Sequence, residues 1–515
     1  MPFPPSRGDD PTSPRKPSLL TKKREIVIFS SAAIALYGYD QGMMSLINTN
    51  HSYLRTMNIS NNSPVVGIIV SVYYLGCAVG AVMASYWADR KGRKPSISAC
   101  LVASIVGNLL MFVAGISPNG SSRWNGAAIV FMIAGRVILG LGVGGIDATI
   151  PVYSSELTKD RSRGRALAQE FQMNIFGLLV AFSINLGVII ALGKDSQWAW
   201  RIPIVVMQAF PILLISSISR LPESPRWFVS QGRDDDAVKA LTDLFDESKA
   251  KETLDELLGA QTDESDKKTG YIDMILPQGS QFHPTMVTVM GQINQALTGY
   301  GAVSVYGPQI FQLLGFGVRS AELVTLGNYV SYFFMMTVAW ITIDSLGRRK
   351  LMIWGSAGLS ICFALLTLFG GLSLDVAHVP ILAVEILGSV VLFVATAIFG
   401  ICWLATVWLI PTEIYPNGAR ALGSMFNNFK YWLFLVFAAT NAFAGWWTWS
   451  YSPETGGRSF EENQEFFTSA LEESSWVVKK VEGGKFLNMP RENGSSERGK
   501  VTRSEVTPLL RSESV

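Results

Sequence analysis

Long apolar runs alternate with short polar breaks over most of this chain. A helix needs about 20 predominantly apolar residues to cross a bilayer, and eleven runs predict such spans. Spans 1 to 6 are Glu25–Asn48, Val65–Trp87, Ser96–Ile116, Ala127–Val152, Leu167–Leu192 and Ile202–Ile218. Spans 7 to 10 are Thr285–Phe311, Leu323–Ile343, Leu351–Leu372 and Ile381–Ile410, and Tyr431–Trp449 is span 11. Between spans 6 and 7 the pattern changes. Residues 220–282 are charged, with Asp234-Asp235-Asp236 and a run through Lys249–Lys268. Their apolar positions Leu241, Leu244, Leu254 and Leu257 fall at helical spacing. Short cytoplasmic helices joining two halves are expected here. A signalling domain is the other reading, but the segment is too short for a core of its own. The chain therefore divides into a disordered cytoplasmic tail (1–24), a six-span half (25–219), a linker (220–282), a five-span half (283–452) and a polar tail (453–515).

Two of the breaks echo each other. Asp89-Arg90-Lys91-Gly92-Arg93-Lys94 separates spans 2 and 3, and Asp344-Ser345-Leu346-Gly347-Arg348-Arg349-Lys350 separates spans 8 and 9. Neither stretch can lie in hydrocarbon, so each is read as a tight loop at the membrane surface. Their positive charge puts that surface on the cytoplasmic side. The repeat suggests an internally duplicated membrane protein, the architecture of many secondary transporters, with a binding site at the repeat interface. The next inner loop, Lys159-Asp160-Arg161-Ser162-Arg163-Gly164-Arg165, is also basic. The outer loops are poor in charge and hold the sequons at Asn58, Asn61 and Asn119, which are glycosylated only outside. Charge and sequons agree on orientation.

Composition adds to this picture and excludes other classes. Only 16% of residues are charged, against about 25% in soluble domains. The net charge of +2 gives no basic excess for nucleic acid. Cys77, Cys100, Cys362 and Cys402 all lie inside apolar runs and read as packing residues. His51, His283 and His378 form no ligand spacing. With no zinc pattern, phosphate loop or nucleophile elbow, neither an enzyme nor a metal site is expected. The Pro/Ser/Arg-rich N-terminus and the length of span 1 predict no cleavable signal peptide.

The motifs extend the duplication. They are Gly38-Tyr39-Asp40-Gln41-Gly42, the Asp89 and Asp344 loops, Gly135-Arg136-Val137-Ile138-Leu139-Gly140 and Pro151-Val152-Tyr153-Ser154-Ser155-Glu156. Further on come Leu221-Pro222-Glu223-Ser224-Pro225-Arg226-Trp227-Phe228, Pro411-Thr412-Glu413 and Pro453-Glu454-Thr455-Gly456-Gly457-Arg458-Ser459. In these the chain resembles a sugar porter of the major facilitator superfamily, of fungal type. The resemblance implies an all-α polytopic fold of two pseudo-symmetric halves and alternating access. It also implies transport of a sugar or polyol, often driven by protons, with the proton gradient in place of a cofactor. The partners are then the substrate, protons and the bilayer.

Residue roles follow in part from the residues and in part from the resemblance. Asp40 lies about 15 residues beyond Glu25, roughly 22 Å into the membrane, and Arg136 enters span 4 from the other side to a similar depth. Intramembrane carboxylates are functional by default. The resemblance makes these two the proton-coupling pair; a permanent buried ion pair is the alternative. Asp89, Arg93, Glu156, Arg165, Asp344, Arg348, Glu413 and Arg420 mark a cytoplasmic gate of ion pairs. Surface pairs contribute about 0–1 kcal/mol each, so several bias a two-state equilibrium without locking it; the alternative is that they only set topology. Candidate substrate ligands are Gln172, Gln292, Asn294, Gln295, Tyr300, Asn328 and Trp408, with Thr298 and Tyr306 nearby. Gln295 matches the first Gln of the family's span 7 pair, while Ala296 replaces the second and Gly301 replaces the following Asn. Gln172 is displaced by one position and Asn328 by one turn from the family's pattern. Helix–helix hydrogen bonding is the rival role for each amide.

The family pattern has two spans between the Glu413–Arg420 loop and the closing Pro-Glu-Thr motif, and this sequence has room for one. The eleventh family span is expected to be missing, which leaves the tail outside. That makes the chain a transport-impaired splice variant or gene-model product. A nutrient sensor on the same fold is a further alternative. The plasma membrane is the expected location; the acidic dileucine-like Glu505-Val506-Thr507-Pro508-Leu509-Leu510 offers a vacuolar or endosomal one.

Overall fold

A computed structural model of the chain describes residues 19–60, 64–116, 125–157, 163–245, 247–265, 282–375 and 381–414, with the short pieces 443, 446–448, 481–482 and 485–486. Its first half is α1 (Leu19–Ile47), α2 (His51–Met57), α3 (Pro64–Lys91), α4 (Arg93–Val113), α5 (Asn125–Leu157), α6 (Arg163–Leu192), α7 (Trp198–Met207) and α8 (Ala209–Ile218). The linker forms α9 (Pro225–Ser230), α10 (Asp234–Leu244) and α11 (Glu247–Ser265). The second half is α12 (Phe282–Leu297), α13 (Tyr300–Leu313), α14 (Val318–Leu346), α15 (Arg348–Asp375), α16 (Ile381–Phe399), a π turn (Gly400–Leu404) and α17 (Ala405–Ile414). A two-residue antiparallel pair, Val481–Glu482 with Lys485–Phe486, lies in the tail. Apart from residues 443 and 446–448, span 11 lies outside the described residues, as do the missing crossing and the tail motifs.

Among the described residues, eight stretches, matching spans 2–6 and 8–10, are long and apolar enough to cross a membrane. Large apolar side chains such as Leu75, Phe334, Ile341 and Trp354 cover their outer faces, as lipid contact requires. Three expectations need correction. The two basic stretches are not loops. α3 runs through Lys91 and α4 starts at Arg93, so Gly92 alone breaks the helix; Gly347 does the same between α14 and α15. Both glycines hold φ and ψ that disfavour a side chain (102° and 162°; 82° and 158°), which makes a one-residue corner possible. Span 7 is two helices, because Gly299 takes a left-handed φ of 78° between α12 and α13. The N-terminal tail does not run to residue 24, because the helix that holds span 1 already begins at Leu19, and Lys22 Nζ donates to the Arg220 carbonyl at 2.9 Å.

Small residues set the packing of the first half. Gly140 and Gly144 of α5 face Gly76 and Gly80 of α3, both at four-residue spacing. A Cβ on any of them would meet backbone of the facing helix. The linker is part of this unit: Leu241 and Leu244 of α10 are buried in the first half's core.

The halves meet along α6 and α14, which run antiparallel. From the inner end outward, the Arg165 N–H donates to Asp344 (3.1 Å), and Gln172 Nε2 donates to the Phe333 carbonyl (2.9 Å) and Thr337 Oγ1 (3.1 Å). Phe176 then packs on Phe333, Phe182 on Tyr329, and Lys194 pairs with Glu322. The inner half of α6 is buried in the second half's core through Leu167, Phe171 and Ile175.

Candidate functional site

The Gly-Tyr-Asp-Gln-Gly motif of α1 sends its residues in three directions. Gly38 and Gly42 sit against the α6 backbone at Asn174 and Leu178. The Tyr39 hydroxyl donates to the Pro203 carbonyl of α7 at 3.1 Å. Asp40 is left facing α5, where its Oδ1 accepts from Arg136 Nη1 at 2.5 Å. Both residues are 1% exposed. The Arg136 guanidinium lies 4.3 Å from the centre of the Tyr73 ring, and its Nε reaches the Ile69 carbonyl at 3.4 Å. The two residues placed at similar depth by counting are thus in direct contact. Tyr73 and Ile69 were missed; their four-residue spacing on span 2 is the signal that they share one helix face. Chemically, a guanidinium does not give up its proton. Within the pair, Asp40 is therefore the member that can change charge.

At the inner surface the candidate gate residues form two similar knots, each within one half. Arg93 grips Glu156 through Nε and Nη2 at 3.2 and 3.0 Å, while its Nη1 donates to Asp89 (3.1 Å) and the Ala88 carbonyl (2.8 Å). In the second half, Arg348 pairs with Asp344 at 3.2 Å and donates to the Ile343 carbonyl at 3.1 Å. Both arginines reach a carbonyl five residues back, as duplication would have it. Glu223, which the sequence offered only as part of a motif and not as a gate residue, accepts from the Arg93 and Lys94 N–H groups (3.0 Å each), capping α4. Trp227 of the same motif donates to the Asp89 carbonyl at 3.0 Å. The gate expectation placed the closing contacts in side-chain ion pairs. Among the described gate residues, the contact that crosses between the halves is the Arg165 N–H on Asp344, with the Arg165 side chain exposed. Glu413 lies in α17, but its side chain and Arg420 are outside the described residues.

The candidate substrate ligands are dispersed along the second half and the seam. Gln172 bonds across the seam, as described. Gln295 Nε2 donates to the carbonyls of Trp403 and Leu404 at 3.2 and 3.3 Å, at the end of the π turn. Asn328 donates to Thr396 Oγ1 at 3.2 Å. These three amides therefore make helix–helix bonds in this conformer. Tyr300 stacks on Phe399 (4.2 Å) and Trp408 packs on Phe171 (5.5 Å). Gln292 is buried in α12, and neither end of the fully buried Asn294 amide has a partner among the described residues.

Comparisons with known proteins decide the family. The model of the family described as "Sugar (and other) transporter" matches residues 26–434. The chain belongs to that family. It is 28% identical over 468 residues to the "Major myo-inositol transporter IolT" of Bacillus subtilis, covering 86% of this chain and 94% of the relative. It is 27% identical over 491 residues to the "Sugar transporter STL1" of Saccharomyces cerevisiae, covering 88% and 83%. Among solved structures, the proton:xylose symporter XylE bound to 6-bromo-6-deoxy-D-glucose superposes with a TM-score of 0.72 at 22% identity, over 87% of this chain and 99% of that one. The fold is that of the major facilitator superfamily. The protein is an integral membrane transporter of sugars or other metabolites, not an enzyme.

Proposed function

We propose that this transporter is a proton-coupled symporter of a sugar or polyol, of the fungal type, acting by alternating access at the plasma membrane. The observation that carries the coupling is the buried Asp40–Arg136 pair, which ties α1 to α5 inside the membrane. A charge pair in this setting holds two helices together only while both members are charged. Protonation of Asp40 therefore changes which helix Arg136 is tied to, and that links proton binding to helix rearrangement. The names of IolT, STL1 and XylE support a polyol or sugar as cargo.

Asp40→Asn keeps size and hydrogen bonding and removes the charge. Uptake assayed in transporter-null cells, screened over hexoses, pentoses, polyols and disaccharides, identifies the cargo first. With that cargo, Asp40→Asn should abolish uphill accumulation while exchange down a gradient persists. Undiminished accumulation at pH 5 would reject coupling through Asp40.

A further inference from the structure

The seam between the halves carries an ion pair at its outer end to which no role has been assigned. Glu322, in the first turns of α14, is 2% exposed although it lies close to the helix end. Lys194, just beyond the end of α6, reaches across from the first half and places Nζ 2.7 Å from Glu322 Oε1. Arg319, one turn earlier on α14, holds Oε2 at 2.9 Å. Lys194 is itself anchored, because its carbonyl accepts from the Ser52 N–H at 3.1 Å at the start of α2.

The inner end of the same two helices is built alike. There Asp344 closes α14, Arg348 holds it from the next helix, and the Arg165 N–H at the start of α6 meets it across the seam. At each end an acid on α14 is kept by a nearby arginine and shared with α6. Between the ends, Gln172, Phe176 and Phe182 give the seam continuous contact. We propose that Lys194 and Glu322 form an outer latch, paired when the outer mouth is closed and separated when it opens, opposed by the Asp344 contact at the inner mouth. The proposal rests on the transport reading in one respect, that the halves move against each other.

The local chemistry makes this pair suited to breaking. Removing one member of a buried ion pair is costly because the other charge is stranded. Here Glu322 keeps Arg319 when Lys194 leaves, and Lys194, whose side chain is already 21% exposed, returns to water. The latch therefore biases the equilibrium without freezing it.

The test uses the full chain with a reporter thiol at Leu186→Cys. Leu186 is 2% exposed on α6, in the cluster that includes Tyr329 of the second half. The native Cys77, Cys100 and Cys362 are buried, and labelling of the chain without the reporter gives the background. Transport by the Leu186→Cys parent tests the transport reading separately. A membrane-impermeant maleimide added outside then reports opening of the outer mouth. Glu322→Gln and Lys194→Gln should each speed labelling about fivefold or more, and the swap Lys194→Glu/Glu322→Lys should bring the rate back toward the parent. Asp344→Asn should act in the opposite direction and slow labelling. Parent-like rates in both outer variants would overturn the latch, as would faster labelling in Asp344→Asn, since that marks a generally loosened seam. If Glu322→Gln fails to reach the membrane, Lys194→Gln and the swap decide the question by the same criteria.

Discussion

The buried pair of Asp40 and Arg136 makes an asymmetric prediction about stability. With a separation of 2.5 Å and 1% exposure on each side, neither member has access to water. Breaking such a pair by removing one partner costs roughly 3–5 kcal/mol, because the remaining charge is left uncompensated. The two single variants should nevertheless differ. In Arg136→Gln the stranded group is a carboxyl, which takes up a proton and becomes neutral instead of remaining a buried charge. In Asp40→Asn the stranded group is a guanidinium, which has no such escape. Its compensation falls to neutral partners, namely the new amide oxygen, the Tyr73 face at 4.3 Å and the Ile69 carbonyl at 3.4 Å, and a desolvated cation–π contact contributes about 2 kcal/mol. Asp40→Asn should therefore be the less stable of the two, by about 1–2 kcal/mol once that contact is counted. The double variant Asp40→Asn/Arg136→Gln should be more stable than the sum of the singles implies, with a coupling of about 1–3 kcal/mol. The assay is denaturant or thermal unfolding of the detergent-purified protein at fixed pH. Additive singles, or an Arg136→Gln variant less stable than Asp40→Asn, would refute this account of the pair.

Three further predictions concern other parts of the chain. Gln295→Ala should weaken substrate binding by roughly 1–3 kcal/mol, the scale of a lost buried hydrogen bond; unchanged affinity with lowered thermal stability would assign Gln295 to packing of the π turn alone. Gly92→Ala should destabilise the first half by about 1–3 kcal/mol, because the corner's positive φ disfavours a Cβ that would also lie 2.7 Å from the Glu223 carboxylate; wild-type stability would show that the corner relaxes. The sequon at Asn493 reports the side of the tail: a single final crossing places it outside, so Asn493→Gln should lose glycosidase-sensitive mass and the 515-residue chain should transport poorly, whereas an unglycosylated Asn493 rejects that topology and full activity rejects the impairment.

The apolar runs by themselves located the membrane-length helices of spans 2–6 and 8–10, because burial of a helix in hydrocarbon depends on local composition over about 20 residues. The same holds for the duplication, which the two Asp-x-x-Gly-Arg stretches announce, and for the depth shared by Asp40 and Arg136, which follows from rise per residue. Depth does not give rotation about the helix axis. That Asp40 faces α5, while Tyr39 faces α7 and the flanking glycines face α6, was settled only by how closely those glycines let α1 approach its neighbours. The substrate amides show the same limit. Gln172, Gln295 and Asn328 are legible as polar residues in apolar spans, but what each one bonds depends on the register of a helix far away in sequence. The breaks were misjudged for a related reason. Six polar residues look like a loop, yet helix ends at a membrane surface tolerate charge, so one glycine with positive φ is enough to turn the chain. The outer pair of Lys194 and Glu322 had no signal in the sequence, because two charges at the ends of separate spans become partners only when α6 and α14 lie antiparallel along their length.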